Sequence, residues 1–168
     1  YLLEKHGADK KFKAYLLTSM IEDIRATLFR QTLFAEFELK LHEMAENGVP
    51  FTADLLKKEY MDLYRFYYGE DLVLDDELAI EWARIPHFYR AFYVYKYSTG
   101  IISAIAIAER ILNGGEKELK EYFKFLSSGS SDKPCELLKL TGVDLLDGNA
   151  MEMAFKSFED ALKKKKKI

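Results

Sequence analysis

Residues 82–112 read WARIPHFYRAFYVYKYSTGIISAIAIAERIL, and the architecture of the rest of the chain follows from this run. It opens on Ile85-Pro86-His87, continues through Tyr89, Tyr93, Tyr95 and Tyr97, and becomes small and apolar from Gly100 onward to Ala108. Charge returns at Glu109 and Arg110, and Asn113-Gly114-Gly115 closes it. Between Phe88 and Leu112 there is no proline and only one glycine, so the spacing predicts a single long helix over 88–112. Pro86 would stand just ahead of its first turn, where a missing N–H is no loss. A helix this apolar has to be covered by other elements. Gly100, Ser103, Ala104 and Ala108 would let neighbouring backbones come close.

The flanking sequence is also helical in pattern. From Asp9 to about Asn47, Phe12, Tyr15, Leu16, Met20, Ile24, Leu28, Phe34, Phe37 and Leu41 recur at three- and four-residue steps. That span exceeds an ordinary globular helix, so a kink or a long spine helix is expected. Asn47-Gly48-Val49-Pro50 stops it. Thr52 is placed to cap a helix that Gly69 ends. Asp75 or Asp76 is placed to cap a shorter helix over 77–84. After the central run come a short helix over 116–126, a polar loop over 127–132, and another short helix from Pro134 to Gly142. Asn149 and Glu152 have capping-box spacing ahead of a last helix that runs to the lysine tail. No strand pair, internal repeat or domain linker is visible, so the fold class is all-α, a multi-helix array over 1–168.

The chain has 168 residues, with 12 Phe and 11 Tyr. That is one ordinary domain, able to bury about 70% of its unfolded surface. A net charge of -3 gives no argument for nucleic acid as a partner. The single cysteine, Cys135, excludes an internal disulfide framework and fits a reducing compartment. No apolar run has the length of a membrane span, so no membrane partner is expected. The chain starts on Tyr1-Leu2-Leu3 without a Met, which reads as the middle of an apolar helix face and suggests the tail of a longer polypeptide.

Most polar features have structural explanations. The lysines of 163–167 suit a solvated helix C-terminus. His42 and Glu46 stand one turn apart, but two potential ligands do not make a metal site. Arg25, Arg30, Glu36 and Glu38 interrupt an apolar-rich run and suit buried helix-to-helix ion pairs. Cys135 reads as an inert core thiol, and His6 as solvated. His87 and the tyrosines are different. Tyr89, Tyr93 and Tyr97 are four apart and would share one face of the predicted helix, with Tyr95 elsewhere on the wheel. Such a stripe is usually core with hydrogen-bonded hydroxyls, though hydroxyls sharing one side of a cleft can also face a developing oxyanion.

The run IPHFYRAFYVYKYSTG, together with RATLFRQTLFAEFE, ALAIEWARIPHF and, downstream, FLSSGSSDKPCELLKLTGVD, resembles the C-terminal part of the oligoendopeptidase F family, thimet-oligopeptidase-like zinc metallopeptidases. The resemblance covers the chain from Tyr1 to about Leu162. It implies an almost entirely helical channel-type fold, zinc-assisted hydrolysis of short peptides, and a cytoplasmic setting. It also implies that a His and tyrosines of this segment contact the substrate and the tetrahedral intermediate. His87 matches the His. Tyr89 and Tyr95 are the first choices for catalytic contacts, with Tyr93 and Tyr97 as substrate-binding neighbours.

The sequence departs from that family pattern in lacking HExxH. His6, His42 and His87 are far apart, and none is followed by the Glu and second His of the motif. The resemblance therefore implies a zinc bound outside this chain, on an upstream HExxH-bearing part of the same protein. That part and short peptides are the expected partners. Two rival readings remain: a helical interaction module without catalysis, and a bundle with a small-ligand pocket between the tyrosines. Because a catalytic zinc site needs three protein ligands plus water, the isolated chain is expected neither to hold stoichiometric zinc nor to cleave peptides. Elemental analysis after dialysis tests this: one tightly held zinc per chain, lost in His42→Ala or His87→Ala, would overturn it.

Overall fold

The computed structural model describes residues 1–6 and 8–168, and among these every regular element is helical. In chain order they are α1 (Leu2–Lys5), α2 (Lys10–Ile24), a π-helical turn (Arg25–Phe29), α3 (Arg30–Glu46) and α4 (Ala53–Tyr68). Two 3-10 segments follow (Asp76–Arg84 and Pro86–Tyr89), then α5 (Tyr95–Gly114), α6 (Glu116–Ser127), α7 (Pro134–Lys139) and α8 (Asn149–Lys165). No helix of the described residues is long and apolar enough to cross a membrane. The chain forms two compact units, residues 26–98 and residues 1–25 with 99–168.

The unit of residues 26–98 has an aromatic core. Leu33, Phe34 and Phe37 on α3 pack with Tyr60 and Leu63 on α4, and with Ile85 and Val94 from the segment between α4 and α5. The Tyr60 ring meets Phe37 edge-on at 5.2 Å, and Phe88 approaches Phe34 and Phe37 at 5.8 and 6.0 Å. The Thr52 side chain accepts the Leu55 N–H at 3.2 Å and so caps α4, as its position predicts. Gly69, at φ 82°, ends α4 in a conformation that an L side chain rarely adopts.

The predicted helix over 77–84 is wound more tightly, as a 3-10 segment, and neither Asp75 nor Asp76 caps it; Asp75 stands at the N-cap position without a side-chain bond. In that winding, residues three apart eclipse each other. Trp82 Nε1 thereby donates to the Ala79 carbonyl at 2.8 Å, and Arg84 reaches Glu81 at 2.8 Å. Glu81 is buried, and its carboxylate also takes the Tyr60 hydroxyl at 2.6 Å and the Arg30 guanidinium. Desolvation and this neighbour push the Tyr60 phenol far above the usual tyrosine range. Nine residues is long for this helix type, and the Glu81 network holds it in place.

Of the four charged residues of the apolar-rich run, Arg30 makes the expected ion pair to another element, with the buried Glu81. Arg25 pairs with Glu22 one turn back on the surface. Glu36 accepts the Tyr67 hydroxyl at 2.8 Å, and Glu38 accepts a backbone N–H. Among the described residues, no buried side-chain nitrogen or oxygen lacks a partner.

In the other unit, α2 packs on α8. Leu17 and Ile21 bury against Ala161, with Phe158 and Leu162 alongside; the small alanines of α8 admit the bulkier side chains of α2. Asp9 caps α2 by accepting the Phe12 N–H at 3.0 Å. Gly142, at φ 72°, closes the turn after α7, and a Cβ there would run into the Arg110 guanidinium. Arg110 Nε donates to the neighbouring Thr141 carbonyl at 2.9 Å. The capping box expected at Asn149 is absent: Gly148 holds the cap position in a left-handed conformation, and Asn149 donates to Asp147 through both its backbone and its side chain. Cys135 is exposed rather than core, because Leu137 and Leu138 form the buried side of its six-residue helix. His6 is exposed as expected and sits edge-on to Phe12 at 5.1 Å.

Glu81→Ala should destabilise the protein by about 2 to 3 kcal/mol. It strips the acceptor from Tyr60 and Arg30, while Arg30 recovers part of the loss from solvent. Tyr60→Phe should cost about 1.5 kcal/mol. Urea unfolding of both variants tests the network, and equal midpoints for Glu81→Ala and wild type would refute it.

Candidate functional site

The single helix expected over 88–112 does not form. Pro86 starts a separate 3-10 turn, Pro86–Tyr89, and α5 begins only at Tyr95. Between them the chain turns at Phe92, which has φ 54° and is the one non-glycine residue with positive φ among the described residues. Long-range packing overrides the local pattern here. Phe88 is drawn onto the aromatic core, Val94 is fully buried in it, and Glu38 on α3 accepts the Phe92 N–H at 2.8 Å. From there α5 buries Ser98, Ile102 and Ala106, one per turn, and leaves Gly100, Ala104, Leu112 and other positions exposed. It is a two-faced helix, not one covered on all sides. Its start is tied to the end of the π-helical turn by the Ser98 hydroxyl, which donates to the Leu28 carbonyl at 3.2 Å.

Tyr89, Tyr93 and Tyr97 therefore do not share a helix face. The turn instead folds His87 back over Tyr93 and Tyr97. The His87 ring stacks on Tyr93 at 5.8 Å and 13°, and meets Tyr97 edge-on at 5.4 Å. The Tyr97 hydroxyl shares a 2.9 Å hydrogen bond with His87 Nε2; it donates if the imidazole carries its proton on Nδ1 and accepts if Nε2 is protonated. Tyr93 and Tyr97 are edge-on at 5.7 Å. Arg90 and Lys96 place positive charge over the Tyr93 ring at 5.9 and 5.1 Å. Hydrogen bonding to Tyr93, then desolvation and the Tyr93 charge, hold the Tyr97 phenol above its ordinary pKa, so at neutral pH it stays a hydroxyl able to donate.

Tyr89 ends the 3-10 turn and is 85% exposed; Tyr95 opens α5 and is 47% exposed. Tyr89 borders a half-open cavity of about 420 Å³ whose other walls include Phe37, Leu41, His42, Trp82 and Phe88. The structure thus brings His87, Tyr93 and Tyr97 into contact and leaves Tyr89 and Tyr95 facing outward beside them. His42 and Glu46 make no metal cluster, and among the described residues no three His, Cys, Asp or Glu side chains come together as a metal would need. Glu38, which holds the turn, and Phe92 had no place among the residues singled out for chemistry. The available signal was an acid directly after Phe37 on the face that also carries Leu33, Phe34 and Leu41.

The described residues thus form an all-helical array with a His87–Tyr93–Tyr97 cluster just ahead of and within the start of α5. The crystal structure of oligoendopeptidase-F from Enterococcus faecium superimposes on it with a TM-score of 0.94 and 40% identity, over 99% of this chain and 32% of that one. Residues 1–157 match Peptidase family M3, and the chain belongs to that family. Oligopeptidase PepF of Bacillus subtilis (strain 168) is 45% identical over 154 residues, which are 92% of this chain and 23% of that protein. An oligoendopeptidase F homolog of Borreliella burgdorferi is 40% identical over 168 residues, which are 100% of this chain and 28% of that protein. The chain therefore spans between 23% and 32% of the length of these relatives.

Tyr93→Phe should lower the Tyr97 pKa toward the ordinary tyrosine value, because it removes the group that most favours the neutral phenol. Ring carbon shifts of labelled tyrosine followed against pH read this directly; a Tyr97 titration unchanged by the substitution would rule out that coupling.

Proposed function

We propose that this chain is the C-terminal part of the catalytic domain of a zinc-dependent oligoendopeptidase that hydrolyses short peptides in the cytoplasm. In this reading it supplies the histidine and tyrosine donors that bind the substrate and the oxyanion. The observation that carries the reading is the His87–Tyr93–Tyr97 cluster with Tyr89 and Tyr95 open beside it, in a chain whose relatives are named oligopeptidases and oligoendopeptidases.

Each side chain has a role that its surroundings allow. Tyr97 fixes one nitrogen of His87, and the Tyr93 ring fixes the imidazole plane. His87 so held presents a defined edge to a peptide. Tyr89 and Tyr95 are exposed, and their hydroxyls donate to the peptide backbone and to the oxygen that gains charge as the scissile carbonyl becomes tetrahedral. Tyr93 and Tyr97 line the substrate side of the cluster. The described residues of this chain do not fit a catalytic zinc, so the reading assigns the metal to residues outside the chain. It assigns to this chain only binding, orientation and hydrogen-bond donation.

The test is kinetic and belongs in the full-length enzyme. Tyr95→Phe and Tyr89→Phe keep the ring and remove the hydroxyl. For the tyrosine that donates to the oxyanion, kcat and kcat/KM should fall together by about a hundredfold, with KM and melting temperature little changed. A tyrosine that only packs would instead lose about 1 kcal/mol of stability and keep its turnover per folded molecule. Near-normal kcat in all four variants, at positions 89, 93, 95 and 97, would make the wall a packing feature and overturn the assignment of these tyrosines.

A further inference from the structure

We infer that Glu38 is a positioning residue: its buried carboxylate clips the Phe92 backbone in the left-handed turn that folds His87 against Tyr93 and Tyr97. The link to activity rests on the peptidase reading above; the clip itself does not.

A bulky L-residue at φ 54° is sterically disfavoured and does not persist without outside support. Two contacts from α3 support Phe92. Glu38 accepts its N–H at 2.8 Å, and His42, one turn further along the helix, lies under its ring with centroids 4.6 Å apart. One helix face thus grips both the backbone and the side chain of the strained residue. Glu38 is only 5% exposed. A carboxylate at such a position is unfavourable unless hydrogen-bonded, and an apolar residue there would leave the Phe92 N–H without this acceptor.

The geometry of the cluster depends on that turn. In an unbroken helix, His87 and Tyr97 would be separated by a rise of about 15 Å. Their side chains instead meet at 2.9 Å. After the same turn Val94 is buried in the core and α5 starts at Tyr95.

The experiment compares Glu38→Ala, Glu38→Gln, Phe92→Gly and the double variant Glu38→Ala/Phe92→Gly in the full-length peptidase. Hydrogen exchange by mass spectrometry on a peptide spanning Phe92 is read beside steady-state kinetics on a short peptide. In Glu38→Ala, exchange at Phe92 should quicken roughly tenfold or more, and kcat should fall by a similar factor while KM stays within about twofold. Glu38→Gln retains an acceptor oxygen and should keep most of the protection and the turnover. Glycine adopts the left-handed conformation without strain, so the double variant should lose less kcat than Glu38→Ala alone. If Glu38→Ala does not fold, Glu38→Gln and Phe92→Gly decide by the same readouts. Unchanged exchange in Glu38→Ala, a Glu38→Gln as damaging as Glu38→Ala, or a double variant with the product of the two single losses would each overturn the clip. Changed exchange with normal kcat overturns the positioning role wherever Tyr89→Phe or Tyr95→Phe does lower kcat. If those variants are normal too, the site assignment has failed, and the clip stands on exchange alone.

Discussion

The buried carboxylate of Glu81 is the constraint on which the candidate site rests. It accepts from Arg30 on α3, from Tyr60 on α4 and from Arg84 on its own segment. An ionised group in this position is tolerable only with its donors in place, and removing any of them leaves charge in a poor solvent. The consequence is topological. The Asp76–Arg84 segment is a single long 3-10 run, and it delivers Ile85 to the aromatic core directly ahead of Pro86 and His87. Glu81 fixes where the chain leaves the core, and Glu38, acting on Phe92, fixes where it turns back.

Much of the fold could be read from the sequence because much of it is locally encoded. Thr52 announces the start of α4 and Gly69 its end, and both act through bonds or dihedral angles confined to a few residues. The three- and four-residue spacing of apolar side chains correctly places α2 and α3. The all-α class needed nothing more. The main failure has a long-range cause. The sequence from Phe88 to Leu112 is locally compatible with helix, and what breaks it is a carboxylate 54 residues earlier together with the pull of Phe88 and Val94 into the core. The missed cap at Asn149 is local instead: Gly148 takes the cap position, and Asn149 donates to Asp147 two residues back.

The site was legible as a set of residue types and illegible as an arrangement. His87 and the tyrosines stood out by composition, and the family resemblance singled out the same group. Periodicity then put Tyr89, Tyr93 and Tyr97 together. The structure keeps Tyr93 with Tyr97, substitutes His87 for Tyr89, and turns Tyr89 outward. A pattern of period 3.6 carries information only while the chain remains a helix. One residue in the left-handed region resets the phase, and no feature of the local sequence marks Phe92 as that residue.

Cys135 has a practical meaning of its own. It is the only thiol of the chain, and it sits exposed at the start of a short surface helix, with Leu137 and Leu138 buried behind it. A maleimide dye or nitroxide would attach to this chain at one defined position, remote in sequence from every tyrosine of the cluster. The same exposure has a preparative consequence: without a reductant, two copies can join through this sulfur, and the covalent dimer would imitate an oligomer in any size measurement.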